Sequence, residues 1–113
     1  MTLAHSFGDV VLVPFPFTDQ SGVKKRPAVI VSGSAYNASR RDIVLMAITS
    51  QVRQPLGYAD AFVTDWQAAG LIKPSVLKPV FTTIEQGLVV RTLGKLSVGD
   101  RRSLREAIAQ TIG

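Results

Sequence analysis

The sequence has 113 residues, 46% of them hydrophobic and 19% charged, which is enough to bury one core and reads as a single domain, 1–113. Thirteen Lys+Arg against eight Asp+Glu leave a formal charge of +5, a balance that favours polyanionic partners such as nucleic acid or acidic protein segments. There is no cysteine, which excludes disulfides, zinc ribbons, iron–sulfur sites and thiol nucleophiles; the one histidine, His5, lies in an N-terminal arm read as loose, so a His-based metal site or general base is not expected.

At the start of the chain, residues 1–8 lack the basic and apolar regions of a signal peptide. No apolar run anywhere approaches the roughly 20 residues of a membrane span, so the expectation is a soluble, cytoplasmic protein. Residues 10–13 form a β-branched and aliphatic run closed by Pro14-Phe15-Pro16-Phe17, which predicts a strand frayed or at an edge toward its end. Residues 18–25 have loop composition, and 27–31 read as a second strand with Pro27 at its first position. Residues 33–41 are small and polar, a loop. Residues 43–48 are a third buried run, 54–57 a turn, and 58–63 a fourth strand with weak alternation.

Asp65 is placed to cap one or two helical turns over 66–69, with Gly70 just past their end. Residues 75–83 and 88–96 are rich in β-formers, with Gly87 as the turn between them and a bulge or edge position at Pro79. Residues 97–112 are the one long helix. Val98, Leu104, Ala107, Ile108 and Ile112 form its apolar stripe, Ser97/Asp100 and Ser103/Glu106 compete as its start, and Arg101, Arg102 and Arg105 face solvent. Short strands and a terminal helix predict a mainly β protein, a small curved sheet closing toward a barrel. The continuous apolar runs predict that both sheet faces are covered, one by the barrel interior and the other by a helix or a second subunit.

The densest basic cluster is Lys24-Lys25-Arg26. Lys24 and Lys25 read as loop charges that attract phosphate. Arg26 stands at the entrance of a strand, before a proline that restricts its backbone, a good position for a fixed phosphate clamp. Thr49, Ser50 and Gln51 close the third run, where a hydroxyl either anchors a turn or donates to a phosphate oxygen. Arg40, Arg41 and Arg53 add charge on either side. If the loops before the second, third and fourth strands gather on one side, these cations line one groove. Tyr36, in a polar loop, is the candidate for stacking on a base. The acids are scattered singly without metal-site spacing, so neither a metal nor a cofactor is expected.

Gly8-Asp9-Val10-Val11-Leu12-Val13-Pro14-Phe15, followed by Lys25-Arg26-Pro27-Ala28-Val29-Ile30-Val31-Ser32, resembles the opening of the MazF/PemK family of toxin–antitoxin ribonucleases. Ala47-Ile48-Thr49-Ser50-Gln51 is similar to the family's segment after the third core strand. Gly70-Leu71-Ile72-Lys73-Pro74-Ser75-Val76 and Arg91-Thr92-Leu93-Gly94-Lys95-Leu96-Ser97 are similar to its C-terminal half, so the resemblance covers nearly the whole chain. It implies an SH3-like barrel of the MazF/CcdB kind with a C-terminal helix, a homodimer, and metal-independent, sequence-specific cleavage of single-stranded RNA, mRNA in the cell. It also implies an acidic cognate antitoxin. By position Arg26 matches the family's catalytic arginine and Thr49 its catalytic threonine. Ser21, Lys24, Lys25 and Tyr36, with Arg40, Arg41, Ser50, Gln51 and Arg53, are the expected RNA contacts. Some members carry an acid in the loop before the arginine where this chain has Ser21, which leaves the general base open.

The residue inventory suits such chemistry, because RNA supplies its own nucleophile, the 2′-OH, and the protein need only align it and stabilise the extra negative charge. A gyrase poison of the CcdB type on the same fold, and a plain RNA-binding barrel, are the competing readings. Arg26-Pro27 together with Thr49 argues against the first, and the second needs neither residue.

Overall fold

The computed structural model describes residues 5–15 and 24–113. Ser21 and Phe17 lie outside the described residues, as does most of the loop expected over 18–25. The elements in chain order are β1 (Asp9–Phe15), β2 (Lys24–Ile30), α1 (Ser34–Ser39), β3 (Asp42–Thr49), β4 (Ala61–Val63), β5 (Ser75–Glu85), a 3₁₀ turn (Gln86–Leu88), β6 (Arg91–Lys95) and α2 (Val98–Thr111). The strands form one antiparallel sheet in the order β4-β5-β3-β2-β1-β6. The molecule is mainly β with a C-terminal helix, as the strand-rich sequence requires, and the sheet curves into a half-barrel.

Prolines shape that curvature. Pro14 pairs with Lys25 of β2, but the β1–β6 ladder has already ended at Leu12↔Arg91, so on that side the missing N–H faces no partner strand. Along β3 and β5 the register jumps from Met46↔Phe81 to Ala47↔Lys78, leaving Pro79 and Val80 as a bulge on β5. That bulge is the one expected at Pro79, and it bends the longest strand.

Alternate residues of the central strands build two cores. Val10, Val29, Met46, Ile48 and Leu77 bury one face together with Leu104 and Ala107 of α2. Val11, Val13, Phe15, Ala28, Ile30, Ile43, Leu45 and Ala47 bury the other. Both faces are therefore covered within one chain, and the apolar runs need no second subunit to explain them. At about 25 cal/mol per Å² of buried apolar surface, these residues dominate the stability of the fold.

The turns over 64–70 pack against β6 by direct contact rather than by a ladder. Gly70, at φ +81°, lies so close to β6 that a Cβ there would collide with the Leu93 carbonyl. A Cβ on Gly94 would sit 2.6 Å from the Ala69 carbonyl oxygen. Residues 64–70 form turns rather than the helix expected there, although Ala69 N–H does donate to the Asp65 carbonyl. Asp100 fixes this segment: its buried carboxylate accepts from the Thr64 and Asp65 amides at 3.0 and 2.8 Å.

Several local expectations are corrected. The fourth strand is only Ala61–Val63. The polar stretch 33–41 contains α1, which has no side-chain cap and is held by tertiary hydrogen bonds. Buried Asn37 donates to the His5 and Ser32 carbonyls, and the Gln86 amide donates to the Asn37 and Arg40 carbonyls. His5 is not loose: its Nδ1 lies 2.7 Å from Gln86 Oε1. Because Nε2 of Gln86 is the donor elsewhere, Oε1 is the acceptor here and Nδ1 of His5 carries the hydrogen.

α2 begins at Ser97, whose side chain accepts from the Asp100 amide, and Ser103 falls inside the helix. Its stripe is shorter than expected, since Val98 and Ile112 are exposed. Arg101 and Arg105 are not simply solvated: Arg101 donates to the Leu96 carbonyl at 2.8 Å, and the Arg105 guanidinium stands 4.7 Å from the Phe7 ring centre. Among the described residues no helix is long and apolar enough to cross a membrane.

Candidate active site

The β2–β3 ladder runs from Ile30↔Leu45 to Ala28↔Ala47 and stops at Pro27, which has no N–H to donate. Continuing the same register would set Arg26 opposite Thr49. Here the two strands border an open cavity of about 870 Å³, lined by Arg26, Pro27 and Thr49. By alternation both side chains share the face of Ala28 and Ala47, at the edge of the second core. A half-buried arginine on a strand thus stands beside a half-buried threonine on its neighbour.

Thr49 is oriented by its own backbone. The Gln51 amide donates to Thr49 Oγ1 at 3.1 Å, a short turn that fixes the side chain as the strand ends. With its oxygen accepting on that side, the hydroxyl keeps its proton to donate elsewhere. Ser50, Gln51 and Arg53 follow along the same wall.

The lining also includes Lys73, just before β5, Lys78 within it, and Asp60, just before β4. Among the described lining residues four cationic side chains, Arg26, Arg53, Lys73 and Lys78, accompany one acid. Such a concave surface attracts a polyanion. Lys73, Lys78 and Asp60 were not singled out from the sequence, because only the β3–β5 register turns Lys78 toward the cavity. Among the described residues, no group of three or more His, Asp or Glu is placed to hold a metal ion.

Not every expected contact residue gathers here. Lys24 and Lys25 are exposed at the start of β2, next to Arg26 in sequence but not lining the cavity. Tyr36, Arg40 and Arg41 lie at the other end of β3. Asp42 opens that strand and Thr49 closes it, a span of roughly 24 Å at about 3.4 Å per residue. The loops thus do not form a single groove. At that far end the Tyr36 hydroxyl donates to Asp42 Oδ2 at 3.0 Å, Arg40 Nε donates to Asp42 Oδ1 at 2.9 Å, and the Arg40 guanidinium lies 5.3 Å from the Tyr36 ring centre. The hydrogen bond from Arg40 holds the Asp42 carboxyl below the usual carboxylate range. The bond to Asp42 raises the Tyr36 phenol above its ordinary value. Tyr36 therefore already has its hydroxyl engaged and a guanidinium near its ring.

Residues 6–112 match the family of PemK-like, MazF-like toxins of type II toxin-antitoxin systems, and the chain belongs to that family. No curated protein matches it in sequence. Among solved structures it is similar to MazF (Form-I) from Deinococcus radiodurans, at 18% identity and a TM-score of 0.75, with 99% of each chain covered. It is similar to Mycobacterium tuberculosis toxin MazF-mt6, at 22% identity and a TM-score of 0.71, covering 89% of this chain and 92% of that one. A third is an endoribonuclease in complex with its cognate antitoxin from a mycobacterial species, at 18% identity and a TM-score of 0.73, covering 99% of this chain and 96% of that one. At these identities the likeness is one of fold.

Proposed function

We propose that this PemK-like, MazF-like toxin is a sequence-specific endoribonuclease that cuts single-stranded RNA, with mRNA as its cellular substrate. The observation that carries the proposal is the meeting of Arg26 and Thr49 at one basic cavity, from adjacent strands. The substrate 2′-oxygen attacks the neighbouring phosphorus, a P–O bond forms, and the bond to the 5′-oxygen breaks. The 2′-OH loses its proton and the departing 5′-oxygen gains one. Arg26 stabilises the charge that builds on the phosphorane, for which a planar guanidinium is suited. Thr49 donates its hydroxyl proton to a non-bridging oxygen. A guanidinium is a poor resting base, so turnover is moderate.

Ser50, Gln51 and Arg53 then hold nucleotides flanking the scissile bond, and Lys24, Lys25 and Ser21 serve RNA entering past the start of β2. Tyr36, Arg40 and Arg41 meet only RNA long enough to run the length of β3. The cavity's positive charge also fits an acidic antitoxin segment that folds as it binds, which is in keeping with the antitoxin complex among the structural neighbours. A homodimer acting in the cytoplasm completes the proposal; it rests on the family resemblance, and a monomer by light scattering at micromolar concentration contradicts it.

The test is to incubate the purified protein with mixed-sequence single-stranded RNA in excess EDTA. The expected products are an upstream fragment ending in a 2′,3′-cyclic phosphate and a downstream fragment beginning with a 5′-hydroxyl. A 2′-deoxy nucleotide 5′ of the scissile bond stops cleavage and leaves binding nearly intact, because phosphate contacts carry most of the affinity. Cleavage of all-DNA strands, or a 5′-phosphate product, rules this mechanism out. Binding without cleavage would favour the plain RNA-binding barrel.

A further inference from the structure

On β5 the register with β3 reads Val76↔Thr49, Leu77↔Ile48 and Lys78↔Ala47. Lys78 thus shares the cavity face with Thr49, one strand over and two residues along. That diagonal spans about 8 Å, close enough for the long lysine side chain to reach a phosphate one nucleotide from one held at Thr49. The side chain is 42% exposed and its Nζ lies 4.0 Å from Asp60 Oδ2. Asp60 is the more buried partner and is tied to its own loop. Its side chain is 10% exposed, its Oδ2 accepts from the Gly57 amide at 2.9 Å, and its own amide donates to the Gly57 carbonyl at 3.1 Å. A tethered carboxylate therefore stands beside a partly exposed cation, too far away for a hydrogen bond, and an ion pair without one holds its cation weakly.

We infer that Lys78 binds the RNA phosphate one nucleotide from the scissile one, and that Asp60 holds this cation at the cavity wall until the phosphate takes it over. The inference rests on the ribonuclease reading of the cavity. A phosphate oxygen carries the same charge type as the Asp60 carboxylate and reaches Lys78 from the open side, so binding exchanges one ion pair for a better one. Asp60 remains tied to Gly57 and cannot follow. Its uncompensated charge then opposes the nearby backbone, so Asp60 lowers RNA affinity while keeping the lysine in place.

The experiment measures binding of a fully 2′-O-methylated single-stranded RNA of mixed sequence, which lacks the nucleophile, as a function of salt. Lys78→Met keeps the aliphatic stem. It is expected to weaken binding about 3- to 10-fold at low salt and to reduce the slope of log K against log salt by about 0.7, the value for one phosphate contact on a single strand. Lys78→Arg keeps the wild-type slope. Asp60→Asn keeps an oxygen for the Gly57 amide and binds the same RNA more tightly. An unchanged slope in Lys78→Met, or weaker binding by an Asp60→Asn protein that melts like wild type, overturns the inference. If wild type still cleaves unmodified RNA, the ribonuclease reading survives that result. If wild type neither binds nor cleaves RNA, both fall.

Discussion

Arg26, just inside the start of β2, and Thr49, at the end of β3, stand at positions that the β2–β3 register would set face to face, and both border one cavity. Pro27 makes this possible. It ends the β2–β3 ladder one residue before Arg26, so from there β2 pairs with β1 alone and the space between Arg26 and Thr49 opens on the cavity.

Arg26→Ala should abolish RNA cleavage while the protein still folds, with a stability loss of about 1 kcal/mol for a half-buried side chain. Arg26→Lys should recover little, because a point charge does not replace the planar fork. Thermal unfolding by circular dichroism reports the fold, and gel analysis of labelled RNA reports activity. Normal cleavage by folded Arg26→Ala protein would remove the arginine from the site.

Thr49→Val keeps the shape, removes the hydroxyl donor and leaves the Gln51 amide without its acceptor. Losing one oriented donor to the transition state lowers the rate roughly 10²–10³-fold. Thr49→Ser restores the donor and the acceptor and should recover most of the rate. If Thr49→Val unfolds the protein and Thr49→Ser rescues folding alone, the hydroxyl anchors the turn and does not serve catalysis.

Gly94→Ala and Gly70→Ala test the seam between the turns over 64–70 and β6. Each places a Cβ against backbone of the other segment, and Gly70 is also at positive φ. Overpacking of this kind costs about 1–3 kcal/mol. Gly87→Ala, at a position with open space around it, is the control. Denaturant midpoints that fail to fall in both seam variants would show that the seam does not pack this closely.

The Asp42 cluster gives a pH dependence. Its carboxyl is held low in the folded protein, chiefly by the hydrogen bond from Arg40, so its contribution to stability is present near neutral pH and fades as acid protonates the group below the usual carboxylate range. Asp42→Asn should flatten the acid side of the Tm-against-pH curve and bring the Tyr36 phenol back toward its ordinary value, since Asp42 is what raises it. The pair is exposed, so added salt should shrink the difference. An ultraviolet titration in which Asp42→Asn leaves the tyrosine absorbance curve unmoved would disprove the coupling.

Much of the architecture can be read from the amino-acid order, because it rests on neighbours in the chain. The β-branched runs of β1, β2 and β3, the bulge at Pro79 and the start of α2 at Ser97 depend on local sterics and one capping hydroxyl. The same locality exposed Thr49 as a strand-end residue, whereas Arg26-Pro27, expected at the entrance of the second strand, lies inside β2 because Lys24 and Lys25 also pair with β1. Pairing decided the rest. Lys78 faces the cavity because β5 pairs with β3 in a register that sets it opposite Ala47, and Tyr36, Arg40 and Arg41 stand apart from Thr49 because β3 runs its full length between them. α1 is held because Asn37 and Gln86 find backbone carbonyls distant in sequence, and the turns over 64–70 are positioned by Asp100, which accepts from the Thr64 and Asp65 amides. Long-range hydrogen bonds and strand register act between segments that share no local pattern, so only the folded chain fixes which side chains meet.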